Sequence, residues 1–104
     1  MHLRYNLEMV LDFANEVIWW RGPAPFVYVP VPPEQSAEIK AISARVTYGW
    51  GCIPVTARIG ATEYTTSLFP KDGLYLVPVK AKVQKAENVN VGDNVMVHLE
   101  IVAA

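Results

Sequence analysis

Residues 67–97 constrain the fold more than any other part of this chain. They read SLFPKDGLYLVPVKAKVQKAENVNVGDNVMV, and the pattern predicts a strand, a tight turn, a strand, a short helix, a glycine turn and a last strand. Asp72-Gly73 is a strong hairpin signal because both residues tolerate positive φ. Alternation of apolar and polar residues over residues 95–101 is typical of a half-buried strand. This order of elements predicts a small, barrel-like β domain.

The rest of the chain carries signals of the same kind. Runs of β-branched and aromatic residues between glycines and prolines predict strands, which cover residues 10–21, 26–29, 53–59, 62–69, 74–77 and 95–101. Pro32 and Pro33 precede a predicted helix, because proline suits the first helical position, where its missing N–H would have no partner. That helix is expected to end near residues 44–46. Pro78 is expected to open a second helix, with Val83 on its buried face.

The two halves of the chain share one plan. The tripeptides 28–30 (Tyr-Val-Pro) and 76–78 (Leu-Val-Pro) are each followed by a predicted helix, a glycine and an alternating strand. Such an internal repeat predicts a pseudo-two-fold axis that relates two strand–helix–strand units. A chain of 104 residues has the length of one domain. We expect residues 10–104 to form a single β-barrel domain and residues 1–9 to form an N-terminal extension.

Composition and charge exclude some broad classes of protein. Apolar residues make up 52% and charged residues 18% of the chain, which argues against disorder. The net charge of −1 argues against a protein whose whole surface binds nucleic acid. The charge is uneven, however, because residues 58–85 carry five basic and two acidic side chains. One face of the domain can therefore be basic.

Cysteine and histidine are too few to indicate a metal site. Cys52, His2 and His98 are the only such residues, and they lack the spacing of structural zinc ligands. We therefore expect no metal, no cofactor and no intrachain disulfide. The sequence contains no run that approaches the ~20 apolar residues of a membrane-spanning helix. Together with the lone cysteine, this favours a cytoplasmic protein without a membrane span.

The sequence shows no catalytic constellation. A serine nucleophile needs a base within hydrogen-bond reach, and Ser67 with His98 is the pair that the fold could bring together. Both residues are more simply explained as half-buried strand positions. The sequence therefore favours binding over catalysis.

Two lysines at the start of the second predicted helix are not explained by helix stability. Lys80 and Lys82 fall in its first turn, where the helix dipole disfavours cations. Backbone N–H groups and lysines at the start of a helix can hold a phosphate or a carboxylate. The simpler alternative is a solvated basic face. We include both lysines in a candidate site for a small anionic ligand.

Aromatic residues and a serine complete this candidate site. Trp50 lies between two glycines, so its ring can stack on a ligand or close the end of the barrel. Ser67 and Phe69 are expected near it. Trp19 and Trp20 are adjacent on a predicted strand and therefore face opposite sides. We expect one of them in the core and the other at the surface, where it can contact another chain.

Three motifs resemble an uncharacterised bacterial family, the domain of unknown function 1905. They are GPAPFVYVPVP, YGWGCIPV and TSLFPKDGLYLVPVKAKVQKAENVNVGDNVMVHLEI, and the resemblance spans residues 13–101. The pattern over residues 77–97 is also similar to the swapped-hairpin DNA-binding modules of transition-state regulators and antitoxins. This resemblance implies a double-split β-barrel with both halves in one chain. It implies no activity.

The sequence thus predicts a mainly β protein, namely a small double-split β-barrel with two short α-helices and a pseudo-two-fold internal repeat. We expect it to bind a small anionic ligand or a partner, without catalysis, through Trp50, Ser67, Phe69, Lys80 and Lys82. The alternatives are a nucleic-acid-binding regulatory module and a structural interaction domain. We expect a monomer or a weak homodimer.

Overall fold

Seven strands and two helices make up the described part of the chain. This computed structural model describes residues 7–21, 26–47 and 51–102. The strands are β1 (Leu7–Glu16), β2 (Ile18–Trp19), β3 (Val27–Pro30), β4 (Ile53–Ile59), β5 (Thr62–Lys71), β6 (Leu74–Pro78) and β7 (Asn94–Val102). The helices are α1 (Pro33–Val46) and α2 (Ala81–Glu87). The prediction of a mainly β protein with two short helices is confirmed.

The strands form one antiparallel sheet that curls into a half-barrel. Its strand order is β1-β7-β4-β5-β6-β3-β2, and neighbouring strands run antiparallel throughout. The two ends of this order, β1 and β2, are separated in the chain by Val17 alone. One stretch of chain therefore supplies both ends of the sheet.

Val17 interrupts the single strand that the sequence predicts over residues 10–21. Its N–H donates to the Asp93 carbonyl at 2.8 Å, and its own carbonyl accepts the Gly92 N–H at 2.8 Å. The Val17 side chain is fully buried. The break is therefore held by the turn that precedes β7, which lies far away in the sequence.

β5 also belongs to both halves of the sheet. Residues 62–68 pair with β4, and residues 69–71 pair with β6. In the β3–β6 pairing, Val29 lies opposite Val77. In the β4–β7 pairing, Arg58 lies opposite His98.

α1 begins at Pro33 and ends at Val46, within the range of 44–46 predicted for its end, and it packs beside β1. Gln35 Nε2 donates to the Asp12 carbonyl at 3.1 Å, and the Arg45 guanidinium lies 3.0 Å from the Glu8 carboxylate. An open strand edge is a template for pairing with another chain. These contacts place α1 against the edge of β1 and protect that edge.

α2 begins later than the sequence predicts, at Ala81 rather than at Pro78. Pro78 still belongs to β6, and the Val79 N–H donates to a β3 carbonyl at 2.9 Å. These pairings keep the chain extended as far as Lys80, whose ψ is 151°. The helix is ended by Asn88, which has a left-handed φ of 53°, as is common after the last helical turn.

Buried apolar side chains from strands and helices form one core. The alternation predicted for β4 is confirmed, because Ile53, Val55, Ala57 and Ile59 are all buried. Ile39 of α1 and Val83 of α2 belong to the same cluster. Burying one large aliphatic side chain stabilises a protein by about 1.5–3 kcal/mol, so this cluster is what holds the helices on the sheet.

Candidate ligand-binding site

β5 and β6 are joined by a two-residue turn that carries the candidate site. Asp72 and Gly73 have φ values of 52° and 81°, which is the backbone conformation that the sequence predicts for this hairpin. β5 extends beyond its predicted end and includes Pro70, opposite Tyr75. A proline is tolerated there because residues 69–71 pair with β6 alone. The tip of the hairpin is thereby fixed in position.

A cleft separates this hairpin tip from α1, and we call it the α1 cleft. Its volume is about 390 Å³, within the range of ~300–1,000 Å³ that is typical of small-molecule sites. It is lined by Pro33, Ser36, Ala37 and Lys40 of α1 and by residues 70–75 of the hairpin. The cleft thus combines apolar side chains with two lysines, Lys40 and Lys71.

Ser36 fixes α1 against the hairpin at this cleft. Its hydroxyl donates to the Val31 carbonyl at 2.9 Å and accepts the Tyr75 N–H at 3.1 Å. The side chain is buried, and buried polar groups in native proteins are almost always paired in this way. Through these two hydrogen bonds, Ser36 holds the start of α1 against β6 at the wall of the cleft.

The charge of the α1 cleft is positive. Lys71 pairs with Asp72 at 3.2 Å, and its ammonium also lies 4.5 Å from the centroid of the Trp20 ring. Lys40 is exposed, and the ion pairs found among the described residues do not include it. Two lysines and one aspartate leave one positive charge uncompensated, which favours an anionic group in the cleft.

A second cavity borders the same hairpin tip, and we call it the tryptophan pocket. Its volume is about 200 Å³. It is lined by Ile18, Trp19, Trp20, Pro30, Lys71, Asp72, Leu74 and Leu76. Lys71, Asp72 and Leu74 line the α1 cleft as well. The two cavities therefore adjoin at the hairpin tip.

Aromatic rings are gathered around this pocket. The centroid of the Trp20 ring lies 5.5 Å from that of Phe69 and 5.7 Å from that of Tyr28. Trp19 stacks on Phe26 with 6.4 Å between centroids. Trp19 is 55% exposed, as one of the two adjacent tryptophans was expected to be, whereas Trp20 is only partly buried. The lining of the pocket thus combines the rings of Trp19 and Trp20 with the ammonium group of Lys71.

Two of the predicted site residues lie on β5. Phe69 touches the aromatic group through Trp20. Ser67 lies two positions earlier, opposite Pro54 of β4, and does not line either cavity. Phe69 thus lies beside the Trp20 ring, but neither Phe69 nor Ser67 lines the tryptophan pocket.

The predicted lysines lie elsewhere. Lys80 precedes α2 and Lys82 is within it; both are exposed, and neither lines the α1 cleft or the tryptophan pocket. α2 has only seven residues. Trp50 lies outside the described residues. An anion site that unites these three residues stays a prediction.

Sequence reasoning did not assign Lys40 and Lys71 to the site. Lys71 adjoins the Asp-Gly turn, and a cation beside a hairpin turn is a signal that could have indicated it. Lys40 carries no comparable signal, because it reads as an ordinary residue on the exposed face of a helix. Its place in the cleft follows from the packing of α1 on the hairpin.

A separate polar cluster surrounds His98, on the face of β7 that points away from the core. The ring Nδ1 lies 2.8 Å from Asp12 Oδ1, and Nε2 lies 3.1 Å from Glu100 Oε2. Carboxylates only accept hydrogen bonds, so both bonds form together only when the ring is doubly protonated. The hydrogen bonds to Asp12 and Glu100 raise the pKa of His98, against the opposing effects of burial and of the Arg58 charge.

This cluster does not create a catalytic pair. Both ring nitrogens of His98 are engaged by carboxylates, and His98 lies opposite Asp12 and Arg58. Ser67 pairs with Pro54, in a different cross-strand row. Within residues 7–21, 26–47 and 51–102, no group of three or more His, Cys, Asp or Glu side chains is arranged to hold a metal ion. Over the same ranges, neither helix has the length and apolar character needed to cross a membrane.

Comparison with protein families decides the membership of the chain. A family model described as Domain of unknown function (DUF1905) matches residues 13–99. The chain belongs to the DUF1905 family. The resemblance carried by the three sequence motifs is thereby confirmed, and the match covers both helices and both cavities of this DUF1905 domain. A comparison with curated proteins finds no match, so function has to be argued from the site itself.

Proposed function

We propose that this DUF1905 domain binds a small anionic ligand in the α1 cleft and does so without catalysis. The observation that carries the proposal is Lys40. Its ammonium group is exposed, has no ion pair among the described residues, and lines a cavity of about 390 Å³. Small-molecule sites typically combine an apolar lining with a few polar groups that fix the orientation of the ligand.

The parts of the cleft suit different parts of such a ligand. Lys40 supplies the uncompensated charge for a phosphate or a carboxylate. Pro33, Ala37 and Leu74 supply apolar contact. The Ser36 hydrogen bonds and the Asp72-Gly73 turn fix the two walls before a ligand arrives. Binding is tighter when the cleft is already formed, because no free energy is spent on ordering its walls.

Titration with simple anions tests the proposal. Inorganic phosphate, acetate and benzoate are added to the isotope-labelled protein at low salt, and amide shifts are followed by NMR. We expect the largest shifts in residues 33–40 and 70–75. We expect Lys40→Ala to weaken binding by about 5–20-fold, which corresponds to ~1–2 kcal/mol for one charge-assisted contact.

Lys82→Ala is the matched control, because Lys82 is also an exposed helical lysine but lies outside the cleft. It should leave binding unchanged. If Lys82→Ala weakens binding and Lys40→Ala does not, the site lies at α2 and the α1 cleft is the wrong location. If none of the three anions shifts any amide, the proposed function is wrong.

We also propose that the fold is a double-split β-barrel built from two related units. The pairing of β3 with β6 supports this, because it is symmetric about Val29 and Val77: Tyr28 pairs with Pro78, and Pro30 pairs with Leu76. In the sequence, residues 28–30 and 76–78 are the two corresponding tripeptides. Each therefore pairs with the other in the manner expected at a two-fold axis.

Two hydrogen bonds support the same proposal. The Val31 N–H donates to the Tyr75 carbonyl at 2.8 Å, and the Val79 N–H donates to the Val27 carbonyl at 2.9 Å. Val79 follows Val31, and Tyr75 follows Val27, by the same number of residues. Superposing residues 27–59 on residues 75–102 is the test. A rotation near 180° that aligns both strands and the helix supports a repeat, and a failed superposition overturns it.

A further inference from the structure

We infer that the ligand carries a planar aromatic ring beside its anionic group, and that its class is a free nucleoside monophosphate. The inference rests on the proposed function, because the phosphate occupies the α1 cleft. It adds a second contact, in which the base lies in the tryptophan pocket. The two cavities share Lys71, Asp72 and Leu74 as lining residues, so the two halves of the ligand would both bind at the hairpin tip.

An exposed pair of aromatic rings lies at the tryptophan pocket. Trp19 is 55% exposed and Phe26 is 41% exposed, and their rings stack at 6.4 Å with an interplanar angle of 29°. Large aromatic side chains exposed together mark interaction sites more often than single exposed residues do. Trp19 also lines the tryptophan pocket, so its surface is available to a ring bound there.

Phe26 has a strained backbone. Its φ is 70°, which is a true outlier for a bulky residue. The Trp20 N–H donates to the Phe26 carbonyl at 2.9 Å and holds it there. Strained residues persist where the surrounding structure fixes them, and they are common at ligand sites. Here the strained residue is the one that supports the ring of Trp19.

Lys71 lines both cavities. Its ammonium lies 4.5 Å from the centroid of the Trp20 ring and 3.2 Å from Asp72. A cation beside aromatic faces suits a ligand that is aromatic at one end and anionic at the other. Ile18, Pro30 and Leu76 complete an apolar lining on which a base can rest.

Calorimetric titration of the whole chain with three compounds tests the inference. The compounds are adenosine 5′-monophosphate, ribose 5-phosphate and adenosine. Stacking of one base on an aromatic side chain corresponds to about 5–150-fold in affinity. We therefore expect the monophosphate to bind at least ~5-fold more tightly than ribose 5-phosphate. Adenosine should bind more weakly than the monophosphate.

Two variants assign the two halves of the ligand. Trp19→Ala should weaken binding of the monophosphate by at least ~5-fold and leave ribose 5-phosphate unchanged. Lys40→Ala should weaken both phosphates and leave adenosine unchanged. Met96→Ala is the matched control, because Met96 is 64% exposed on β7 and lines neither cavity. It should change none of the three affinities.

The outcomes separate the inference from the proposed function. If ribose 5-phosphate binds through Lys40 and the base adds nothing, the inference fails and the anion site stands. If neither phosphate compound binds but acetate or benzoate still shifts amides of the α1 cleft, the inference fails and the anion site stands; if none of these anions binds, both fail. A single-stranded oligonucleotide that binds more tightly than the monophosphate overturns a free nucleotide as the ligand. A dimer that Trp19→Ala dissociates, detected by sedimentation, assigns the aromatic pair to self-association and also overturns the inference.

Discussion

The carboxylate of Glu87 fills the space beside Gly60 that the Cβ of any other residue would occupy. Gly60 has a φ of 61°, and Glu87 also accepts a hydrogen bond from the Thr62 hydroxyl. The last residue of α2 is therefore fastened to the turn between β4 and β5. One glycine permits both the shape of that turn and the docking of the helix.

Gly60→Ala is expected to destabilise the protein more than Gly73→Ala. Both glycines have left-handed φ values, 61° and 81°, so both variants incur backbone strain of about 1 kcal/mol. A Cβ on Gly73 meets nothing within 4 Å, whereas one on Gly60 displaces Glu87. We expect Gly60→Ala to cost an additional ~1–2 kcal/mol, as measured by urea unfolding, because the hydrogen bond from Thr62 is lost.

The Glu87→Ala background is the control for this comparison. With the carboxylate gone, Gly60→Ala should cost no more than Gly73→Ala does. Equal costs of the two alanine variants in the otherwise unchanged protein would contradict the role assigned to Glu87.

The His98 cluster predicts a stability that falls as pH rises. Hydrogen bonds to Asp12 and Glu100 raise the pKa of His98 above 6.5, so the folded state holds the proton more tightly than the unfolded state. The contribution is fully present below about pH 6.5 and is lost as the pH rises through the folded pKa. The free energy of unfolding of His98→Gln should be lower than that of the unchanged protein at about pH 6, and the difference should shrink as the pH rises.

Asp12→Asn separates this effect from general changes in charge. It removes the shorter of the two bonds to His98 and is expected to lower the NMR titration midpoint of the His98 ring. Because Asp12 is largely exposed, the loss of stability should stay below ~1 kcal/mol. An unchanged midpoint would show that the hydrogen bond does not set the protonation of the ring.

The buried hydroxyl of Tyr64 leads us to expect that the protein loses stability at alkaline pH. Its hydroxyl donates to the Pro78 carbonyl at 2.9 Å, and burial raises the pKa of this side chain above its ordinary 10.0. The folded state therefore favours the neutral hydroxyl, and the free energy of unfolding falls as the pH rises above about 10. Tyr64→Phe should lose ~1 kcal/mol at neutral pH but decline less steeply in alkali. Parallel declines of the two proteins would count against this account.

Ser36→Ala is expected to destabilise the protein by about 1–3 kcal/mol, because it leaves buried backbone groups of Val31 and Tyr75 without the hydroxyl. Ser43→Ala on the same helix is the comparison, since Ser43 is only partly buried and hydrogen-bonds the side chain of Tyr75 rather than buried backbone groups. Thermal unfolding should rank the two variants in that order. Ser36→Ala should also weaken anion binding if the α1 cleft is the site, because the Ser36 hydroxyl no longer connects α1 to the hairpin.

Local sequence was sufficient to predict an element when the residues of that element determine where it begins and ends. β4 was predicted over its full observed range, 53–59, because strict alternation specifies a strand with one buried face. α1 was predicted because proline suits the start of a helix and because Ile39, Ile42 and Val46 have helical spacing. Its end was predicted at residues 44–46, and the helix ends at Val46. The Asp72-Gly73 turn was predicted because few residue pairs accept positive φ at both positions.

Features that depend on distant parts of the chain were missed. The break at Val17 is held by Gly92 and Asp93, and no pattern within residues 10–21 encodes that contact. The late start of α2 depends on a hydrogen bond from Val79 to β3. The α1 cleft unites Lys40 with the hairpin tip only through tertiary packing, so no spacing in the sequence could have placed it.

The pairing of β1 with β7 has a consequence for how this chain folds as it is made. β1 covers residues 7–16, and its partner strand β7 covers residues 94–102. Leu11 and Phe13 of β1 therefore cannot be fully buried until β7 has emerged from the ribosome. Such long-range pairing is slow to form and leaves apolar surface open in the interval. A stalled or truncated chain that lacks β7 should therefore be recognised by chaperones as unfolded, rather than persist as a partly folded half.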